Sequence, residues 1–271
     1  MKVWFITGTS RGLGREFAIT ALQRGDLVAA AARDTDTLAD LVETYGDAIL
    51  PIRLDVTDRS AAFAAVDRAH HHFGRLDIVV NNAGYGQYGF AEELSETELR
   101  AQMDTNFFGA VWVTQAALPH LRAQRGGHII QVSSIGGVTA FPNLGGYHAS
   151  KWALEGFTQS LAQEVSPFGI RVTLIEPGGF STDWVDSAHQ ATRHPDYRDE
   201  HRKFQRARTR RMAGMGQPEA AGSALLRLVD SADPPLRVFF GKSPLSVATA
   251  DYTSRLATWQ RWQPLAVAAQ G

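Results

Sequence analysis

A chain of 271 residues with 44% apolar content can bury a sizeable core, and α/β folds of this length commonly form one unit, so a single domain over residues 1–271 is expected. The formal net charge of −1 gives no global field for nucleic acid or an anionic membrane, and the absence of cysteine excludes disulfides, thiolate metal sites and a cysteine nucleophile. Met1 to Ile6 is too short for a signal-peptide core and no later run approaches a membrane span; the expectation is a cytoplasmic protein with no nucleic-acid or membrane partner.

A predicted strand at 2–7 (KVWFIT) leads into a helix at 12–24, whose apolar Leu13, Phe17, Ala21 and Leu22 follow the helical period. Strands at 27–32, 49–54, 76–80, 128–133 and 170–177 then alternate with helices at 35–44, 58–73, 95–121 and 147–165. This alternation implies right-handed crossovers and an α/β fold with a doubly wound, mostly parallel sheet. With a last strand at 236–241 the sheet has about seven strands, covered by helices on both faces. Ligands of such a sheet bind beyond the carboxyl ends of its strands. Residues 181–216 are polar, arginine-rich and less regular, whereas 217–230 and 246–262 read as helices. Trp259 and Trp262 on the last one read as packing or interface residues rather than a substrate clamp.

Two short motifs carry chemistry. Between the first strand and helix lies TGTSRGLG, Thr7 to Gly14, where glycine lets the backbone turn tightly and approach a pyrophosphate attracted by the positive end of the helix. The spacing of Gly8, Gly12 and Gly14 departs from G-x-G-x-x-G, so its position after a buried strand carries the argument. Further along, Tyr147-x-x-x-Lys151 places two side chains one helical turn apart on one face. A phenol beside an ammonium is a proton donor whose pKa can fall from its usual ~10, because the positive charge stabilises the phenolate. Lysine is scarce here, four of 27 basic residues, and its compact ammonium can touch a phenol and a ribose together.

With Asn81-Asn82-Ala83-Gly84 after the fourth strand, Asn106 in the long helix, Ser134, and Pro177-Gly178 followed by Thr182, these motifs resemble the short-chain dehydrogenase/reductase family. The resemblance is to its single-domain form with T-G-x-x-x-G-x-G and Y-x-x-x-K, and it runs from about residue 3 to 182. GGYHASKWALEGFTQSLAQEV and EPGGF are also similar to 17β-hydroxysteroid-dehydrogenase-like and ketoreductase members. The resemblance implies a Rossmann-like oxidoreductase in which Tyr147 exchanges a proton with the substrate oxygen as hydride moves at carbon. Lys151 lowers the tyrosine pKa and holds the nicotinamide ribose, Ser134 hydrogen-bonds the same substrate oxygen, and Asn106 anchors a water that relays protons to Lys151. Pro177, Gly178 and Thr182 hold the nicotinamide and Asp55 faces the adenine. Gly8, Ser10, Arg11, Gly12, Leu13 and Gly14, with Asn82, Ala83 and Gly84, complete the cofactor contacts. The last three read equally as a turn supporting the sheet. Family resemblance further implies a homodimer or homotetramer paired through the helices at 95–121 and 147–165. Their Phe107, Phe108, Trp112, Trp152 and Phe157 exceed what one sheet contact needs.

Coenzyme choice turns on the end of the second strand. Twenty residues after Gly12 stands Ala32, where NAD-selecting sequences carry a carboxylate. Arg33 follows it and Arg11 lies within the glycine turn, so two guanidinium groups can meet a 2′-phosphate. NADP(H) is favoured, with NAD(H) through Asp34 the alternative. The expected reaction is hydride transfer between NADP(H) and a ketone, an aldehyde or a secondary alcohol. A catalytically silent nucleotide sensor has no need for the Ser134, Tyr147, Lys151 and Asn106 set, and a sugar-nucleotide epimerase or dehydratase resembles a longer chain with another glycine spacing. Residues 180–216, with Gly214 and Gly216 as hinges, read as a substrate lid. The candidate pocket is Tyr85, Ser134, Phe141, Tyr147, Trp184 and His189. No metal site is expected, since His70, His71 and His72 point about 100° apart and His189, His194 and His201 lack an i, i+4 pair. Eight Arg or Lys against three Asp or Glu in 193–211 read either as a grip for an anionic substrate or nucleic acid, or as a solvated, mobile face.

Overall fold

β1 (Val3–Thr7) is buried along its whole length and turns into α1 (Gly12–Gln23), which returns as β2 (Leu27–Ala32). The computed structural model describes residues 1–182, 188–212 and 214–271. The chain continues through α2 (Ala39–Tyr45), β3 (Ile49–Arg53), α3 (Arg59–Phe73) and β4 (Ile78–Asn81). Next come β5 (Gln87–Tyr88), α4 (Glu96–Met103), α5 (Gly109–Gln124), β6 (Gly127–Val132), α6 (Gly145–Val165) and β7 (Ile170–Pro177). The last part holds β8 (His189–Gln190), α7 (Arg198–Met212), α8 (Pro218–Val229), β9 (Arg237–Phe240) and α9 (Pro244–Ala268).

Seven strands form one sheet in the order β3-β2-β1-β4-β6-β7-β9, and every neighbouring pair is parallel. Side chains alternate across it as the two-residue period requires. Trp4 and Ile6 face one core with α1 and α8, while Val3 and Phe5 face the other with α3, α5 and α6. The fold is therefore the doubly wound sheet expected. β2 and β4 flank β1 on opposite sides, and the crevice beyond its carboxyl end is where such sheets take ligands.

Three departures from the expected elements bear on function. The long helix expected at 95–121 is two helices joined by a π-helical turn, Asp104–Phe108, that contains Asn106. Helical periodicity alone does not reveal such a turn, which here is fixed by tertiary contacts of Asn106 described below. A second, two-stranded parallel sheet pairs β5 with β8. The irregular arginine-rich stretch contains a 15-residue helix, α7. Trp259 and Trp262 are 59% and 57% exposed on α9, which removes intrachain packing as their role. Among the described residues no helix is long and apolar enough to cross a membrane.

Candidate active site

The glycine turn is held from below. Gly8 and Thr9 donate their N–H groups to Ala31 O, and the Asn82 carboxamide donates to Thr7 O and Gly8 O at 3.0 and 3.1 Å. Thr7 Oγ1 accepts the N–H groups of Asn82 and Ala83, both at 3.0 Å. A methyl on Gly14 would lie 2.3 Å from Gly8 O, and one on Gly8 would lie 2.9 Å from Ala83 Cα, so only hydrogen fits at either position. Asn82 thus acts as a strut under the turn, the supporting role weighed from sequence. Asn81 is structural too, donating to Thr114 Oγ1 inside the sheet.

The first turn of α1 has Arg11 at its N-cap with no side-chain cap, and no acidic residue neutralises it. Its amides and the positive end of the helix are therefore available to an anion. Gly12 has φ +60°, a left-handed conformation, and a methyl there would come no nearer than 3.6 Å to Thr182. The end of β7 thereby reaches the turn. Pro177 ends β7, and Gly178 donates to Phe240 O at 2.8 Å. These residues fit a dinucleotide.

At the adenine side Arg11 and Arg33 are exposed, and Ser10 and Leu13 are half-buried. Asp34 Oδ1 accepts the Asp36 N–H at 3.0 Å and Asp55 Oδ1 accepts from Thr57 N and Oγ1, so one oxygen of each carboxylate serves its own turn.

Tyr147 and Lys151 lie on one face of α6, both buried, with Lys151 Nζ 5.9 Å from the tyrosine ring centroid. Burial pushes the Tyr147 phenol up to about 12, against a hydrogen bond from Ser134 that lowers it. Ser134 Oγ accepts the Gly136 N–H at 2.9 Å, which leaves its proton for Tyr147. Desolvation brings Lys151 down to about 8 against the opposing charge of Glu155, and Lys151 Nζ donates to Val132 O at 2.8 Å. Burial, rather than the neighbouring ammonium, therefore dominates the acidity of the phenol in this structure.

Both ends of the Asn106 carboxamide are held, and Oδ1 keeps a second lone pair. Oδ1 accepts Tyr85 N–H at 3.0 Å, and Nδ2 donates to Tyr85 O and Ser150 Oγ. Gly84 has Asn106 and Lys151 on the same side: a methyl there would lie 3.1 Å from Asn106 Oδ1 and 3.6 Å from Lys151 Nζ.

Of the candidate pocket, Tyr85 and His189 meet with ring centroids 4.7 Å apart and planes tilted by 39°, brought together by the β5–β8 pair. Phe141 reaches the site through His148, whose Nε2 accepts the Phe141 N–H at 2.8 Å. Trp184 lies outside the described residues. Sequence reasoning missed three supports. His148 bonds Gly136 O through Nδ1, fixing the neutral tautomer, and burial depresses its pKa. Its place beside Tyr147 was the available signal. Gln102, four residues before Asn106, donates to Tyr85 O. Tyr88 is buried and helps to keep the Tyr147 phenol protonated, raising its pKa.

The model of the short chain dehydrogenase family matches residues 2–193. The chain is 40% identical to the oxidoreductase BOA17 of Botryotinia fuckeliana, covering 99% of each, and 35% identical to a 3-ketodihydrosphingosine reductase of Bacteroides thetaiotaomicron, covering 89% of this chain and 88% of that one. The crystal structure of a short-chain dehydrogenase from Streptomyces avermitilis superposes with a TM-score of 0.91 at 35% identity, over 99% of this chain and 100% of that one. Two further solved structures hold nicotinamide nucleotides. An alcohol dehydrogenase from Thermococcus sibiricus, with 5-hydroxy-NADP, has a TM-score of 0.75 at 25% identity over 90% and 97% of the two chains. A 3-ketoacyl-(acyl-carrier-protein) reductase from Brucella melitensis, with NADH, has 0.77 at 26% over 90% and 98%. Match and geometry agree that the chain belongs to the short-chain dehydrogenase family, and is an oxidoreductase built around a nicotinamide cofactor.

Proposed function

We propose that this protein reduces ketones or aldehydes with NADPH, and oxidises secondary alcohols in the reverse direction. The observation that carries the reading is the pair Tyr147 and Lys151, both buried one turn apart on one face of α6, with Ser134 acting on the phenol and lowering its pKa. The nicotinamide, when bound, supplies or accepts the hydride. Tyr147 holds the proton at Oη, where a carbonyl oxygen becomes an alkoxide and needs it. Ser134 turns its hydroxyl proton to the same oxygen and stabilises the developing charge. Lys151 keeps positive charge behind the phenol. With Lys151 at about 8, its ammonium is lost as pH rises through that value, so reduction should slow above pH 8. Asn106, held in the π-helical turn by Tyr85 and Ser150, would hold the water through which Lys151 is reprotonated.

NADP(H) over NAD(H) is supported by the exposed Arg11 and Arg33 and by Asp34, which turns an oxygen back to Asp36. Residues 180–216 are assigned as the substrate cover. Their ends meet, since Ser181 N donates to Gly216 O and Gly216 N to Gly179 O, both at 2.9 Å, while α7 rests on the loop after β5. For assembly, Phe108 and Trp152 are each 38% exposed on the helices expected to pair. A cytoplasmic homodimer or homotetramer is the corresponding proposal.

The decisive experiment follows NADPH absorbance over a panel of ketones and aldehydes. Tyr147→Phe should keep the fold and NADPH binding and lose roughly 10²- to 10⁴-fold in turnover. Near-normal turnover in that variant would defeat the assignment. In the same assay Arg33→Ala should weaken NADPH about 10-fold and leave NADH nearly unchanged; equal loss for both would return the choice to Asp34.

A further inference from the structure

The arginine-rich helix carries a second feature that the reduction does not use. Arg198, Arg202 and Arg206 recur every four residues along α7 and so form one stripe. Together with Arg193, His201 and Gln205 they line a groove of about 550 Å³, the size of a nucleotide-scale ligand. The acids of this segment do not balance them. Asp199 pairs with Arg202, Glu200 with Lys203, and Asp196 lies 3.8 Å from His194. Among the described residues Arg193, Arg198 and Arg206 have no ion pair. Three unpaired guanidinium groups around one groove exceed what a single carboxylate needs, and suit the several oxygens of a phosphate or pyrophosphate.

The helix is also pinned beside the reaction centre. It rests on β5 and the loop after it: Tyr197, just before the helix, stacks on Phe90 at 4.9 Å, His201 Nε2 meets Glu93 Oε1 at 2.7 Å, and the Phe204 ring lies 5.6 Å from Tyr88. Tyr88 is buried and acts on Tyr147, so Phe204 links the helix that carries the groove to the strand beside the reaction centre.

We propose that the Arg193–Arg206 groove is a distal anion subsite, taking the phosphate or pyrophosphate at the far end of an extended carbonyl substrate whose reacting carbon lies at Tyr147. This rests on the carbonyl-reductase reading and narrows its substrate to phosphorylated, long-tailed carbonyl compounds.

The test compares one ketone on two carriers, acetoacetyl-coenzyme A and acetoacetyl-N-acetylcysteamine, at saturating NADPH so that the cofactor's own phosphate contacts stay filled. The coenzyme A ester should have the lower KM, and that advantage should shrink with added salt. Arg198→Gln and Arg206→Gln should each raise its KM about 2- to 5-fold, as exposed charge contacts do, with kcat and the N-acetylcysteamine kinetics unchanged. Equal KM for the two esters, or variants that shift both alike, would overturn the subsite. Inorganic pyrophosphate titrated calorimetrically into the NADPH-loaded protein judges the groove without turnover: binding to wild type that the double variant loses supports it, and equal binding or none removes it. Adenosine 3′,5′-bisphosphate in the same titration separates nucleotide from bare phosphate recognition. If no ketone of any kind is reduced, the carbonyl-reductase reading falls while the pyrophosphate titration still decides the groove.

Discussion

The glycine turn and the 180–216 excursion both border the reaction centre, and they are held in opposite ways. The turn is fixed by backbone groups and short side chains packed so closely that a methyl does not fit at Gly8 or Gly14. The excursion is held by side-chain pairs with residues more than 100 positions away, Tyr197 with Glu92 and His201 with Glu93. One region has a single geometry that every dinucleotide requires. The other is held by a few side-chain pairs that single substitutions can remove.

The largest break in this comparison should come from one methyl group placed in each region. Gly14→Ala forces a carbon to within 2.3 Å of Gly8 O and of Asn82 Nδ2, and should destabilise by about 1–3 kcal/mol while abolishing measurable NADPH binding. Gly214→Ala meets nothing within 4 Å and should change stability by less than about 0.5 kcal/mol. Thermal melts with and without NADPH measure both. Comparable losses in the two variants would erase the distinction.

The same contrast explains what could be read in the sequence. Tyr147, Lys151 and the glycine turn were legible because their geometry is local: one helical turn, or one strand-to-helix junction. Asn106 was legible as a residue, but its π-helical turn was not, since that turn exists to let the carboxamide reach both backbone groups of Tyr85, 21 positions away. α7 was illegible for a related reason. Nine of its 15 residues are charged, without an apolar stripe to mark a buried face, and it is docked through His201, Phe204 and the preceding Tyr197. Tyr88 and His148 were missed because their importance lies in whom they touch.

A smaller effect sharpens the comparison from the side of the excursion. The Glu93 side chain is fully buried, accepts the N–H groups of Phe90 and His194, and meets His201, so its carboxylate joins α7 and the segment before it to the loop after β5. Its pKa is lowered overall, the hydrogen bonds outweighing desolvation. Glu93→Gln should speed amide exchange across residues 188–206 by about 10-fold, leaving β1, β4 and β6 unaffected. KM for a carbonyl substrate should rise while the affinity for NADPH stays the same. Exchange that rises equally in the sheet would mean the excursion is not a separate unit. With cofactor and substrate bound, the wild-type segment should become more protected.

The smallest effect concerns the scaffold, where a buried acid pair interrupts an otherwise rigid region. Glu155 on α6 and Glu176 on β7 are both buried and share Arg237 of β9, whose Nε lies 2.9 Å from Glu155 and 3.5 Å from Glu176. One guanidinium cannot neutralise two carboxylates, so the pair keeps a proton. Desolvation, and then repulsion by Glu155, push Glu176 up to about 8, against the attraction of Arg237. An acid whose pKa is higher in the folded than in the unfolded chain binds its proton more tightly when folded. Its stabilisation is complete below the unfolded value, ~4.3, and is lost as pH rises through about 8. Because Arg237 shares and partly solvates the charge, the loss between pH 5 and 8 should be modest, on the order of 1–2 kcal/mol. Chemical denaturation across that range should show it, and Glu176→Gln, which stays neutral, should flatten the slope. A wild-type stability that rises from pH 5 to 8, or a slope that survives the substitution, would show that the proton is not held between these two residues.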